Sequence, residues 1–349
     1  MAAITHDGYI IGGGTPTTAD QVAYRDSSVG GSLDKIQSDL GAFEVGNTAA
    51  YSHRCGEFFV WKGQFVKVLA TIAVGASLVL GTNIQATSVS DMLTQANRAA
   101  SCSYNRGENI TKYVTDGTLR DRIAGTNGFE PYEDIFPWDY IDLGTPITCT
   151  TSGGGASTGG SQVIRVAQRG GLNSYQYNGN CLIMVPETGF GSSYMNSSNT
   201  TVGGYYNSFM HQTIMADLNT KLGNSIIGSY LKETNELLSN GINASGYNRF
   251  GTNSGCASSW AWYLCKCVLM SEIEVDGSIT WSSSGHDTGS ACHQLEAFRN
   301  DKLAAIPNYT FWKKDVASSS LFSRATDVGA AADTSAIRVY GVRPRFTIA

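Results

Sequence analysis

The sequence predicts a mainly β protein with some α-helix. Glycine accounts for 40 of the 349 residues, whereas only 15% of the residues are charged. Such a composition is typical of proteins rich in strands and loops. Aromatic and β-branched residues recur in short runs that end at glycine or polar turn residues, which is the pattern of strands. A chain of this length is expected to form two or three domains, each with its own core.

The net charge and the apolar runs exclude several classes of partner. A formal net charge of -5 offers no basic surface for nucleic acid or for an anionic membrane. The longest apolar run begins at Val66 and is interrupted at Gly75 and Ser77, so it falls short of the ~18 residues that span a bilayer. No secretion signal is recognisable at Met1, so synthesis in a bacterial cytoplasm is expected.

Residues 1–50 are predicted to form an attachment or oligomerisation segment. A turn of three glycines, Gly12 to Gly14, precedes a short amphipathic stretch with Leu33, Ile36 and Leu40 at helical spacing. So short a helix cannot bury its apolar stripe alone. Two interpretations stay open: the stripe packs on the following domain, or it packs against its copies or a larger particle.

Residues 51–100 are predicted to form a small β module. Its strand pattern turns at Lys62 and Gly63 and returns through Phe65, Val66 and Val68, as a hairpin does. The stretch from Ser90 to Ala100 begins with helix-capping residues and is predicted to be a short helix.

Residues 101–129 are interpreted as a connector to a larger domain that spans 130–349. Several carboxylates follow it, and clustered carboxylates are the ligands of Ca²⁺ and the catalytic pair of glycosidases. They are Glu130, Glu133, Asp134, Asp139 and Asp142. However, the apolar residues Ile135, Phe136, Trp138 and Tyr140 favour a strand entering the domain instead.

Further elements are expected inside the larger domain. A glycine- and serine-rich tract, Thr150 to Ser161, is predicted to be an exposed loop that follows the first strand of the domain. Strands are predicted beside it, near Val163–Val166 and Cys181–Val185. The clearest helix of the chain is predicted from five apolar residues at helical spacing. These are Phe209, Ile214, Met215, Leu218 and Leu222.

Neither catalysis nor a metal or cofactor site is predicted. His211, His286 and His293 are the residues that most invite a catalytic interpretation, but no nucleophile elbow, phosphate loop or paired-histidine motif accompanies them. Cys265 and Cys267 lack a second pair at zinc-finger spacing. The eight cysteines are predicted to be free and buried, because no secretion signal directs the chain to an oxidising compartment.

The stretch from Tyr309 to Ile348 has the composition of a displayed surface within a fixed frame. In the middle of this stretch, small residues alternate with chemically unrelated side chains, whereas Phe311 and Trp312 near its start and the segment from Gly341 at its end have the pattern of anchored residues. Trp312 and Phe322 are predicted to be core anchors. The predicted exposed ligand-binding residues are Lys313, Lys314, Leu321, Ser323, Arg324, Thr326, Asp327, Asp333, Thr334, Arg338, Val339 and Tyr340.

Four motifs resemble the C-type-lectin-fold proteins of phages and gut bacteria, including the variable proteins of diversity-generating retroelements. They are WAWYLCKCVLMSE (Trp260 to Glu272), ITWSSSGHDTG (Ile279 to Gly289), FWKKDVASSSLF (Phe311 to Phe322) and YGVRPRFTI (Tyr340 to Ile348). The resemblance covers about residues 130 to 349. It implies a C-type-lectin-like α+β domain that a GVRP-type strand completes, with the ligand-binding surface just before that strand. It also implies a homo-oligomer, usually a trimer.

The resemblance and the surface composition together predict a phage virion protein, located in a tail fibre or tail tip. It is expected to bind a host-surface receptor, protein or glycan, without catalysis, and to contact other virion proteins through its N-terminal region. The alternative is a capsid decoration or head-fibre protein with a structural or weak glycan- and mucus-adhesion role. A third possibility, an enzyme of the formylglycine-generating branch of the fold, requires redox or copper-binding cysteines beside a pocket. The calcium-binding triplets of sugar-binding animal lectins are absent, which favours protein recognition.

Overall fold

A computed structural model of the protein contains two compact units. It describes residues 4–6, 9–11, 47–49, 53, 58–62, 64–87, 105–150, 159–172, 175–247, 254–282 and 293–349. One unit comprises Met1–Ser103 and Gly125–Asp134, and the other comprises Tyr104–Ala124 and Ile135–Ala349. Strands far outnumber helical segments in the described residues, so the predicted fold class, mainly β with some α, is confirmed.

The first unit is built on short antiparallel strands. Its strands are β1 (Ile4–His6), β2 (Tyr9–Ile11), β3 (Phe58–Trp61), β4 (Gln64–Val68) and β5 (Ile84–Ala86). β1 pairs with β2, and β3, β4 and β5 form a sheet in that order. Trp61 stands opposite Gln64 and Lys62 has a φ of 49°, so the chain reverses at the predicted turn and the hairpin is confirmed.

A small apolar core supports this sheet. Its buried members are Ala49, Phe59, Val66, Val68, Ile72, Leu78 and Ile84. The two helices predicted in this region, around Leu33–Leu40 and from Ser90 to Ala100, lie outside the described residues. The attachment role of residues 1–50 therefore stays a prediction.

The second unit contains the remaining elements. Its helical segments are α1 (Thr111–Thr115), α2 (Leu119–Ala124), a π-helical turn (Met210–Met215), α3 (Ala216–Gly223), α4 (Glu272–Asp276), α5 (Glu296–Asn300) and α6 (Lys302–Ala305). Its strands are β6 (Tyr140–Ile147), β7 (Ser161–Arg169), β8 (Leu182–Pro186), β9 (Ser192–Ser193), β10 (Leu231–Lys232), β11 (Thr234–Tyr247), β12 (Ser254–Cys265), β13 (Cys267–Leu269), β14 (Phe311–Val316), β15 (Leu321–Ala325), β16 (Ala331–Ser335), β17 (Tyr340–Gly341) and β18 (Pro344–Ile348).

The large sheet of this unit has the strand order β10-β18-β8-β7-β6, and β13 also pairs with β18. All of these pairings are antiparallel. β8 pairs with one edge of β18, and β10 and β13 both pair with the other edge. β10 lies opposite Thr347 and Ile348, whereas β13 lies opposite Pro344 to Phe346. The long hairpin of β11 and β12 is inserted between β10 and β13.

A second sheet has the order β16-β15-β14-β17-β9, in which β14 and β17 are parallel and the other neighbours are antiparallel. Helices α4, α5 and α6 contribute to a core that reaches both sheets. Its buried members are Ala167, Leu172, Ile183, Val185, Met270, Val275, Leu295, Phe298, Ala305, Phe311 and Ala325. The middle strand β14 is buried along its whole length.

Several local predictions for this unit are confirmed. The strands expected near Val163–Val166 and Cys181–Val185 are β7 and β8. The expected helix runs through the π-helical turn into α3, and its buried residues include Ile214, Met215 and Leu218. The predicted loop before β7 lies mostly outside the described residues.

The cysteines that the structure describes are free, as predicted. Cys149, Cys181, Cys265 and Cys267 are buried, and Cys256 is half-buried. Burial raises the pKa of the Cys149 thiol to about 11 and that of Cys265 to about 12, so both stay protonated at neutral pH. Thiols in this state are poor nucleophiles and poor metal ligands.

The two compact units divide the chain at other positions than the predicted boundary between connector and larger domain. Residues 104–124 belong to the second unit because α1 and α2 bury Tyr113, Leu119 and Ile123. Residues 125–134 instead belong to the first unit, where Glu133 accepts a hydrogen bond from Lys67 at 2.6 Å. The helical spacing in this stretch is too brief to reveal which unit each segment packs against.

The strand expected from Ile135 onward begins only at Tyr140. The preceding residues form a turn in which Trp138 has a left-handed φ of 70°. The buried carboxylate of Asp139 closes this turn by accepting hydrogen bonds from the backbone N–H groups of Phe136 at 2.9 Å and Glu108 at 3.0 Å. Among the described residues, no helix has the length and apolar character needed to cross a bilayer.

Candidate binding surface

The residues predicted to bind a ligand lie on the second sheet and on the loops that join its strands. β14, β15 and β16 follow one another as antiparallel neighbours, and β17 returns beside β14. The frame expected around them is present, since Phe311, Trp312 and Phe322 are buried and β18 is buried throughout. Trp312 and Phe322 are therefore core anchors, as predicted.

Three of the predicted residues are not exposed. Lys313 is 0%, Lys314 4% and Ser323 0% exposed, so the expectation of exposure is wrong for them. Lys313 and Lys314 lie on β14, which has a strand on either side. The Lys313 ammonium is paired with Asp276 at 2.5 Å, and the Ser323 hydroxyl donates to Glu272 at 2.6 Å. These side chains support the sheet from within and are not available to a ligand in this structure.

The other nine predicted residues are accessible, and we call them the display surface. Asp327 and Arg338 are exposed, and the rest are half-buried. The display surface consists of Leu321, Arg324, Thr326, Asp327, Asp333, Thr334, Arg338, Val339 and Tyr340. It presents positive and negative charges, hydroxyl groups, an aromatic ring and aliphatic groups on adjacent strands and turns.

Arg324, Asp333 and Tyr340 form a contact cluster on the display surface. The Arg324 guanidinium lies 5.0 Å from the centre of the Tyr340 ring, and its Nε donates to the backbone carbonyl of Asp333 at 3.3 Å. The Tyr340 ring in turn meets the buried Trp312 ring edge-on at 5.2 Å. Burial raises the pKa of Asp333, and the Glu272 carboxylate adds to this shift. These contacts fix an arginine and a tyrosine, two residue types that often dominate binding energies.

Beneath the display surface, the buried carboxylate of Glu272 joins three segments. It accepts hydrogen bonds from the backbone N–H groups of Thr280 at 3.0 Å and Trp281 at 2.9 Å, and from the hydroxyl of Ser282 at 2.9 Å. The Ser323 hydroxyl on β15 is a further donor to it. A carboxylate satisfied by fixed donors holds the strand in one position relative to the loop.

A second buried network lies around Arg345 on β18. Its guanidinium pairs with Glu236 and with Glu274, and all three side chains are at most 2% exposed. Burial alone would raise the pKa of Glu236, but the adjacent Arg345 lowers it below its ordinary value. Glu274 also caps α4 by accepting from the backbone N–H of Ser271 at 2.9 Å. The network therefore ties β18, β11 and α4 together.

A groove of about 690 Å³ opens beside the display surface. Val339 and Tyr340 belong to its lining, together with Trp138, Glu187 and the segment 304–310. Tyr309 fits between two glycines, because a Cβ at Gly189 or at Gly341 would lie 2.1 Å from its side-chain atoms. We call this cavity the groove.

Sequence reasoning did not identify the groove. Its lining comes from four separated segments, and Trp138 reaches it from a turn that had been predicted as a strand. The pattern of residues around Trp138 does not indicate that this tryptophan adopts a left-handed backbone conformation. The sequence did indicate two lining residues of the groove, Val339 and Tyr340, which were predicted to bind a ligand, but not the cavity that they help to form.

The structure describes only some of the histidines that most invite a catalytic interpretation. His286 lies outside the described part of the chain, and His211 is largely buried, with its pKa lowered to about 4 by burial. No cluster of three or more potential metal ligands occurs among the described residues. Comparison with models of protein families, with curated proteins and with solved structures finds no match to this chain.

Proposed function

We propose that the chain is a bacteriophage virion protein that binds a receptor on the host cell through the display surface, without catalysis. The observation that carries the proposal is the contrast between this surface and its support. The exposed positions have mixed chemistry, whereas the residues below them form buried and paired networks around Glu272 and Arg345. A surface of this kind tolerates changes in its exposed residues, because the fold depends on others.

Recognition without catalysis agrees with the side chains on this surface. Arg324 and Tyr340 are held by contacts with each other and with the sheet, so they lose little conformational freedom on binding. Rigid arginine and aromatic groups are enriched among the residues that carry binding energy. The resemblance of the C-terminal motifs to phage lectin-fold proteins points to the same role.

The proposed assembly is a homotrimer attached to the virion through its N-terminal region. Several copies of a weak site bind a cell surface more tightly than one, because later contacts become intramolecular. Light scattering on the purified full-length chain measures the number of copies. A monomer at micromolar concentration would contradict this part of the proposal.

Binding of the fluorescently labelled full-length chain to a panel of bacterial strains, measured by flow cytometry, tests the receptor proposal. On a strain that binds the protein, Arg324→Ala is expected to weaken binding at least about tenfold, as the loss of a central arginine does. The matched control is Arg120→Ala. Arg120 also donates to a backbone carbonyl, that of Ser229 at 3.1 Å, and lies 5.1 Å from the ring centre of Tyr230.

Equal binding by both variants would contradict a receptor site at Arg324. A reconstruction of the virion then separates the two structural outcomes. A display surface that points outward supports receptor binding, whereas one covered by neighbouring capsid or tail proteins favours the decoration role.

A further inference from the structure

We propose that the groove binds the neutral sugar end of a surface glycan. This inference rests on the proposed receptor-binding function and names the class of ligand that a part of the receptor belongs to. The volume of about 690 Å³ lies within the roughly 300–1,000 Å³ that is usual for ligand pockets. The groove is therefore large enough for a short saccharide.

Three aromatic residues line the groove: Trp138, Tyr309 and Tyr340. A pyranose ring has an apolar face of C–H bonds, and that face packs on aromatic rings, while its hydroxyls point sideways to polar groups. Tyr309 is held in the slot between Gly189 and Gly341, and Tyr340 rests edge-on against Trp312. At least two of the three rings are thus fixed before a ligand arrives.

Polar groups of the right kind lie among these rings. Glu187 supplies carboxylate oxygens that accept from hydroxyls, and Asn308 supplies an amide that both donates and accepts. Arg165 orients Glu187, since its Nε donates to the carboxylate at 2.9 Å. The Glu187 side chain stays 37% exposed, so its remaining acceptor capacity is open to a ligand.

The charges at the groove favour a neutral ligand over an ionic one. Among the described residues that line the groove, Glu187 is the only charged one. Its charge is matched by Arg165, which has a 15% exposed side chain and is not among the described residues that line the groove. An anionic ligand would meet the carboxylate of Glu187, and a cationic ligand would find that carboxylate already paired. Carboxylate- and phosphate-bearing glycans are therefore expected to bind less well than neutral ones.

The backbone at Trp138 supports a functional role for the groove independently of its volume. A left-handed conformation costs a bulky residue on the order of 1–3 kcal/mol, and such residues cluster at ligand sites. Here the conformation is enforced from both sides: the Trp138 N–H donates to Val166 at 2.7 Å, and its carbonyl accepts from Arg165 at 2.9 Å. The same arginine therefore positions both Trp138 and Glu187, the ring and the carboxylate of the proposed site.

The groove is also continuous with the display surface, because Val339 and Tyr340 belong to both. A receptor that carries a glycan next to a protein surface or a further sugar would contact both at once. Two adjoining contacts within one receptor reinforce each other without any change in the fold.

The test uses the full-length chain on an array of immobilised bacterial saccharides. The array contains neutral hexose and N-acetylhexosamine oligosaccharides and their uronic-acid-containing counterparts. Binding to neutral members is expected, and the Kd for the best of them is then measured by titration calorimetry. Asn308→Ala and Tyr340→Ala are each expected to raise that Kd at least about tenfold, as the loss of a central contact does.

Tyr175→Ala is the matched control for the loss of a tyrosine ring. Tyr175 is 73% exposed and stacks on Trp262, and neither residue lines the groove. Its Kd is expected to equal that of the wild type. Asn308 is exposed, so Asn308→Ala is expected to keep the wild-type melting temperature and to separate a binding defect from a folding defect.

The inference is overturned if no saccharide binds, if binding is insensitive to the groove variants, or if the acidic saccharides bind more tightly. If saccharide binding fails while Arg324-dependent binding to cells persists, the receptor proposal stands and the groove inference alone falls. If cell binding is also absent, both fall.

Discussion

Arg345 and Glu236 form a two-point ion pair in the interior of the second unit. The distance from Nη1 to Oε1 is 2.8 Å, and that from Nη2 to Oε2 is 2.6 Å. Glu236 lies near the start of β11, and Arg345 lies in β18. The pair therefore joins the base of the long hairpin to an interior strand of the large sheet. A two-point contact of this kind fixes the relative orientation of two strands as well as their distance.

Glu236→Ala is expected to lower the free energy of unfolding by about 3 kcal/mol or more, because it leaves a buried arginine with one carboxylate fewer. Urea unfolding followed by circular dichroism measures the loss. Asp217→Ala is the control, since it breaks an ion pair with Lys221 whose side chains are 26% and 38% exposed. The control is expected to cost less than about 1 kcal/mol. Equal losses of unfolding free energy in the two variants would show that the buried ion pair contributes no more to stability than the half-exposed one.

Lys313→Ala is expected to destabilise the protein by about 2–4 kcal/mol, because it removes a buried side chain and one of the partners of Asp276. Lys302 pairs with the same carboxylate at 2.8 Å, but its side chain is 30% exposed compared with 0% for Lys313. Lys302→Ala should therefore cost less than about 1 kcal/mol. Thermal melts of the two variants give the comparison. An unchanged melting temperature for Lys313→Ala would contradict the burial of this lysine.

Stability is expected to fall as the pH drops from 6.5 towards 4, partly through His211. Burial and the Lys314 ammonium lower its pKa from 6.5 to about 4, and the Glu236 carboxylate opposes this shift without cancelling it. Between pH 6.5 and about pH 4, His211 is therefore protonated in the unfolded chain but not in the folded chain. This difference removes roughly 3 kcal/mol of stability across that window.

His211→Phe isolates this contribution, because phenylalanine keeps the ring contacts with Tyr205 and Tyr206 but does not titrate. The His211 Nδ1 atom has no hydrogen-bond partner among the described residues, so the substitution removes a buried polar atom that is unsatisfied. Urea midpoints near pH 7.5 and about pH 4.5 are compared for both proteins. A wild type that is no more sensitive to acid than the variant would contradict the lowered pKa.

Gly341→Ala is expected to destabilise the protein by about 1–3 kcal/mol, because the added Cβ would lie 2.1 Å from the Tyr309 ring and overpack the site. Gly223→Ala is the control. A Cβ at Gly223, the last residue of α3, would meet nothing within 4 Å. That substitution is expected to be neutral or stabilising by up to about 1 kcal/mol. Melting temperatures that fall equally would contradict the close contact at Gly341.

The elements that sequence reasoning predicted correctly are those whose pattern is local. The hairpin of β3 and β4 follows from runs of aromatic and β-branched residues on both sides of Lys62, and α3 with its preceding turn follows from apolar residues at helical spacing. In both cases, neighbours along the chain carry the whole signal. The anchored strand β18 was likewise visible as an apolar segment.

The errors concern burial that depends on distant residues. Lys313 is buried because Asp276, 37 residues earlier, supplies its partner, and Ser323 is buried against Glu272, 51 residues earlier. A lysine in a sequence is usually exposed, and the pattern around Lys313 contains nothing to indicate a buried pair. The groove escaped prediction for the same reason, since it exists only where separated segments meet.

The position of β18 between β8 on one side and β10 and β13 on the other sets the timing of folding. Those three strands leave the ribosome before β18 does, yet each of them hydrogen-bonds to it. Until residues 344–348 emerge, β8 has an open edge, and open edges pair readily with other chains. The pairing of Leu231 with Ile348 also closes a long loop, which slows folding.

A nascent chain that stalls before Pro344 therefore lacks the interior strand that connects β8 to β10 and β13. It is the form of this protein most exposed to misassembly, and prompt completion of translation protects against it.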